Sequence, residues 1–137
     1  MDCAQAEEEK EEGVARLLVF AFWILAAAVV LGSGLAFMHI RAAKIPPWPV
    51  GALHGVLGAA GLGVLILALR GPARGVEYGV SSFGPVASFL AALALFLGLI
   101  VLLLARRFKR ATGLAIAVHS TIAVTAFVLL SAYLSFG

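Results

Sequence analysis

Three histidines, His39, His54 and His119, are the only residues within the long apolar stretches of this sequence whose side chains titrate near neutral pH. An imidazole is costly to place in hydrocarbon and marks function by default. A neutral ring also keeps one nitrogen as a lone-pair donor to a metal. No Asp, Glu, Lys or Arg falls inside Leu17–Ile40, Ile45–Leu69, Tyr78–Ala105 or Ala111–Gly137. That argues against a proton-coupled carrier, a channel with a charged filter and an intramembrane acid–base enzyme. Carboxylates for a metal cage are missing from the stretches, and so are a phosphate loop, a Ser-His-Asp arrangement and a nucleic-acid footprint.

The elements that must position the histidines follow from composition. With 63% hydrophobic residues, a mean hydropathy of +1.09 and only 12% charged residues, the chain is a polytopic membrane protein and not a soluble domain. Each of the four stretches exceeds the ~20 residues an α-helix needs to cross ~30 Å of hydrocarbon. No alternation of the kind a barrel strand requires is present. The expected fold is all-α, an up-down-up-down bundle of four transmembrane helices joined by short loops. An acidic tail at 1–13 would precede a single domain at 14–137, with helices near 14–42, 47–70, 80–106 and 111–136. Ile45-Pro46-Pro47-Trp48-Pro49 and Gly71-Pro72-Ala73-Arg74-Gly75 break the first two junctions, because proline is tolerated in a first helical turn and not in mid-helix. Arg106-Arg107-Phe108-Lys109-Arg110 forms the third, and Trp48, Tyr78 and Tyr133 are read as interface anchors.

Let side A be the membrane face bearing the N-terminus. Side B loops carry Arg41, Lys44, Arg106, Arg107, Lys109 and Arg110, against Lys10, Arg16, Arg70 and Arg74 on side A. The positive-inside rule then makes side B cytoplasmic and the N-terminus periplasmic, and the abundance of Ala, Gly and Leu, with Arg over Lys, fits a bacterial inner membrane. The basic turn at 106–110 suits anionic lipid or the propionates of a haem. Cys3, the only cysteine, excludes an intrachain disulfide and a cysteine-based cluster.

On this topology all three histidines lie toward side B. His54 is about seven residues into the second helix and His119 about eight into the fourth, roughly 10 and 12 Å deep at 1.5 Å per residue. His39 is shallower. Two imidazoles at matched depth on different helices are what a bis-histidine b-type haem requires. Gly58 and Gly61 follow His54 on its own face, and Ala115, Ala123 and Ala126 flank His119, so both histidines stand on small-residue stripes. The same stripes serve ordinary helix packing, Gly51 and Gly55 form a GxxxG pair, and a histidine near an interface bonds water or a carbonyl, so a structural role stands beside ligation. His39, beside Arg41, is read as interfacial, as a contact for quinone or haem propionate, or as an alternative ligand.

The segments Leu53-His54-Gly55-Val56-Leu57-Gly58 and Val118-His119-Ser120 resemble the histidine helices of small four-helix membrane cytochromes b of the cytochrome b561-like and dehydrogenase-anchor types. Such proteins frequently carry two haems on four histidines, and here at most one bis-histidine haem can be built. The resemblance implies an electron-transfer subunit with haem b held by His54 and His119, exchanging electrons between a quinone pool and a partner in a larger redox complex. The alternative, of a different class, is a cofactor-free accessory subunit that anchors or stabilises a membrane complex. Neither expectation makes the chain itself a catalyst.

Overall fold

A computed structural model describes residues 3–42, 47–105 and 109–136. Four helices account for nearly all of them: α1 (Cys3–Ala42), α2 (Trp48–Ala68), α3 (Phe83–Ala105) and α4 (Lys109–Phe136). Each is long and apolar enough to cross a membrane. No strand occurs among the described residues. The fold is therefore the all-α four-helix bundle that composition requires.

Local chemistry sets the helix ends. Pro47, at φ −56° and ψ 126°, precedes α2, and Pro49 sits in its first turn, where a missing N–H costs nothing. Between α2 and α3 the chain turns at Gly75 and Gly79, with φ of 66° and 69°, a conformation that side chains with a Cβ rarely adopt. Backbone bonds from Gly79 N–H to the Val76 carbonyl and from Val80 N–H to the Gly75 carbonyl, 3.1 and 3.0 Å, close that loop. Residues 3–13, read from sequence as a tail apart from the bundle, continue α1 without a break. At 40 residues α1 is about 60 Å long, well beyond the ~30 Å of hydrocarbon. The junctions at 43–46 and 106–108, the latter within the basic turn, lie outside the described residues.

α1 packs most closely on α2 and α3 on α4, and the two hairpins meet along α1–α4 and α2–α3. α1 and α3 thus stand on one diagonal of the bundle and α2 and α4 on the other. The core lies in the side A half, formed by Val14, Leu18, Ala21, Leu65, Ala68, Ala87, Leu130 and Tyr133. Phe22 of α1 stacks on Phe127 of α4, with ring centroids 5.0 Å apart. Tyr133 is not the interface anchor expected of it. Gly84 has no Cβ, and the tyrosine ring fills the vacant space, so that a Cβ built there would lie 2.9 Å from its Cε1. Tyr78 and Trp48 remain exposed, as anchors should.

The two hairpins repeat one another. Val14, Ala21 and Ala28 of α1 are buried, and so are the residues 66 positions later, Val80, Ala87 and Ala94. Gly61, Leu65 and Ala68 of α2 are buried, and so are Ala126, Leu130 and Tyr133, 65 positions later. Both hairpins start on side A, so they are parallel repeats about an axis along the membrane normal.

Truncation in the core should be felt far more than truncation on the lipid face. Leu65→Ala is expected to destabilise the bundle by about 2 to 4 kcal/mol, whereas Leu103→Ala, exposed on α3, should stay within about 0.5 kcal/mol. Reversible unfolding in mixed micelles measures both, and equal losses would refute this placement of the core.

Candidate functional site

The paired structure brings His54 and His119 together. Their ring centroids are 6.0 Å apart with the planes at 83°. They reach one another across the α2–α4 diagonal, although no Cα of α2 comes within 8 Å of a Cα of α4 among the described residues. The side chains, not the backbones, make the approach. Both are half-buried.

Each ring is held from behind by the helix next to it. His54 Nδ1 lies 2.8 Å from the Ala28 carbonyl of α1, and His119 Nδ1 lies 2.8 Å from the Ala94 carbonyl of α3. A carbonyl only accepts, so Nδ1 carries the proton in both rings. In the neutral ring that arrangement leaves Nε2 as the lone-pair nitrogen. A lone pair on each ring could accept from a donor or bind a metal. Two imidazoles on one metal, with metal–nitrogen bonds of about 2 Å and about 1.1 Å from nitrogen to ring centroid, place the centroids roughly 6.3 Å apart. The observed 6.0 Å matches that spacing.

Two glycines absent from the sequence-based site make room for these rings. A Cβ built on Gly32 would lie 2.7 Å from Cε1 of His54, and one on Gly98 would lie 3.2 Å from Cε1 of His119. The sequence carried no signal to separate them from the other glycines of the spans. Of the residues expected to line a cofactor, Gly58 has only Leu95 Cδ1 near it, at 3.9 Å, while Ala115 and Ala123 are half-buried on α4. Gly61 does not offer a bare face beside the histidines. Leu25 and Ile24 of α1 fill that position, Leu25 Cγ at 2.7 Å from a built Cβ, so Gly61 serves the α1–α2 contact. Ala126 is likewise buried in the packing.

His39 is not brought into the pair. It lies half-buried on α1, seven residues beyond Gly32, which is about 10 Å closer to side B on nearly the same face. Beside it the Arg41 guanidinium sits 5.3 Å above the Phe37 ring. The hydroxyls of Ser33, Ser120, Thr121, Thr125 and Ser131 donate to carbonyls of their own helices, Ser120 and Thr121 both to Ala117. Those bonds satisfy them in place. A Cβ built on Gly51 or Gly55 would meet nothing from another helix within 4 Å among the described residues. No cluster of three or more His, Cys, Asp or Glu that could hold a metal ion exists among the described residues.

With Cys3 replaced by serine, cysteines at positions 54 and 119 should resist direct oxidation to a disulfide, because a bridge needs Cα atoms within about 7 Å. A short bifunctional maleimide should link them in good yield. Ready formation of the direct disulfide would show that α2 and α4 are neighbours and not diagonal. The chain matches no protein-family model, no curated protein and no solved structure, so the functional reading rests on this geometry.

Proposed function

We propose that this chain is a membrane electron-transfer subunit that holds one b-type haem between His54 and His119. The observation that carries the reading is the pair of Nδ1-anchored imidazoles meeting across the bundle diagonal at 6.0 Å. The residues present fit such a group. As neutral rings both would have Nε2 available, and the carbonyls of Ala28 and Ala94 supply the outer hydrogen bonds that metal-ligating histidines almost always make.

A b-type haem bound there supplies a one-electron iron couple whose potential is set by its axial ligands and by burial. The work of the chain is to hold two imidazoles at fixed height and rotation, so that ligation survives a change in iron charge. Half-buried His39, two turns toward side B, stands where a quinone headgroup entering from that face would meet an imidazole able to exchange a proton. The partners on this reading are a quinone and the other membrane subunits of a redox complex. Side B is the cytoplasmic face of a bacterial inner membrane. Support for a single centre comes from the packing farther along the same helix faces: Leu65 and Leu130, eleven residues beyond the two histidines, are fully buried.

A dithionite-reduced minus air-oxidised spectrum of the purified protein should show the sharp α-band of a six-coordinate b haem, lost in both His54→Ala and His119→Ala. His39→Ala should keep the band and slow its reoxidation by a quinone at least several-fold. A colourless protein that copurifies with other subunits, and whose assembly His54→Ala leaves intact, would replace this reading with the accessory one.

A further inference from the structure

We infer that Gly32 and Gly98 are positioning residues that uncover the carbonyls of Ala28 and Ala94, and that the chain carries this imidazole-presenting unit twice. In a continuous α-helix the carbonyl of residue i already accepts the N–H of residue i+4. Its second lone pair is free, but the side chain at i+4 normally covers it against a neighbouring helix. Gly32 is the i+4 residue of Ala28, and Gly98 is the i+4 residue of Ala94. Without a Cβ at either position, an imidazole from the next helix lies against the backbone and its Nδ1–H reaches the carbonyl at 2.8 Å. The glycine and the hydrogen bond are therefore one device.

Its recurrence sets it apart from chance packing. The α1 segment Ala26-Ala27-Ala28-Val29-Val30-Leu31-Gly32 aligns with the α3 segment Ala92-Leu93-Ala94-Leu95-Phe96-Leu97-Gly98 at the offset of 66 that relates the buried positions of the two helices. His54 and His119 are related by the offset of 65 that relates α2 to α4. Carbonyl, glycine and imidazole thus occupy equivalent places in both hairpins, and the symmetry axis passes between the two rings. The two copies differ in tightness. The Gly32 contact, at 2.7 Å, leaves no room for a methyl group, while the Gly98 contact, at 3.2 Å, needs the ring to give by a few tenths of an ångström.

Full-length protein with 15N-labelled histidine, prepared free of metal in lipid bilayers, tests this by solid-state NMR, which distinguishes protonated from bare ring nitrogens. Wild type should show Nδ1–H with bare Nε2 for both His54 and His119. Gly32→Ala should shift or abolish the His54 Nδ1–H signal and leave that of His119 in place; Gly98→Ala should shift the His119 signal by less. Gly61→Ala, which meets Leu25 at 2.7 Å, should lower thermal stability with both histidine signals unmoved, and Gly34→Ala, which faces open space, should change neither. Should Gly32→Ala prevent folding, the milder Gly98→Ala carries the test alone. If Gly98→Ala leaves the His119 tautomer and shifts as in wild type, the positioning role is overturned. Because the readout needs no haem, this inference and the cytochrome reading fail separately: normal tautomers in a protein that never binds haem would overturn only the latter.

Discussion

The hydrogen bond between an imidazole N–H and a helix carbonyl inside the membrane is the constraint around which this bundle is arranged. In hydrocarbon no water is present to satisfy a ring N–H, and leaving it unpaired costs several kcal/mol. Helices meet there without a hydrophobic driving force, through close packing and a few polar contacts. The bonds from His54 to Ala28 and from His119 to Ala94 each join two helices at a fixed height and rotation. Each needs a carbonyl that is not covered, which ties the position of a histidine on one helix to that of a glycine on its neighbour. Once both hairpins are fixed in this way, joining them along α1–α4 and α2–α3 brings the rings edge to face.

Much of this is legible in the sequence, because the bilayer reduces folding to a question of length and charge. Four uncharged stretches become four helices, and prolines and glycines mark the ends at the first two junctions to within a few residues, whereas α1 begins at Cys3, well before its stretch. Even the level placement of His54 and His119 follows from counting inward from the loops, although α4 begins two residues earlier than the stretch suggests. Depth is a property of one helix. Which faces meet is a property of pairs, and there the text is poor: fifteen glycines and many alanines look alike until a neighbour is placed beside each. Gly61, on the histidine face by periodicity, is claimed by Leu25. Tyr133, with the amphipathic ring of an interface anchor, is drawn inward by the missing side chain of Gly84. Gly32 and Gly98 carried no mark at all. The repetition is hidden for the same reason, since apart from Val14/Val80 and the two histidines its identities are Ala, Leu and Gly, the commonest residues of the chain.

The two halves of the bundle differ in what fills the space between diagonal helices. Toward side A it is occupied by leucine, alanine and the Tyr133 ring, and the largest fully buried side chains, Leu18, Leu65 and Leu130, all lie there. Toward side B the two imidazoles meet across it. On the cytochrome reading this difference in filling fixes where redox chemistry occurs. A ligand pair needs two inward positions at one level on diagonal helices. Seven residues on, those faces carry Gly61 and Ala126, and eleven on, Leu65 and Leu130, all buried, so the path toward side A continues in packing with no further imidazole pair. Electrons would then enter and leave through the side B half, and a carrier that itself diffuses across the bilayer would complete any transmembrane step. His39 lies on that same half, about two helical turns nearer the surface than the level of the pair. On that reading an imidazole between the membrane surface and the pair would offer a proton path where an apolar residue would block one, and coupling a proton to an electron is what separates quinone chemistry from simple electron relay.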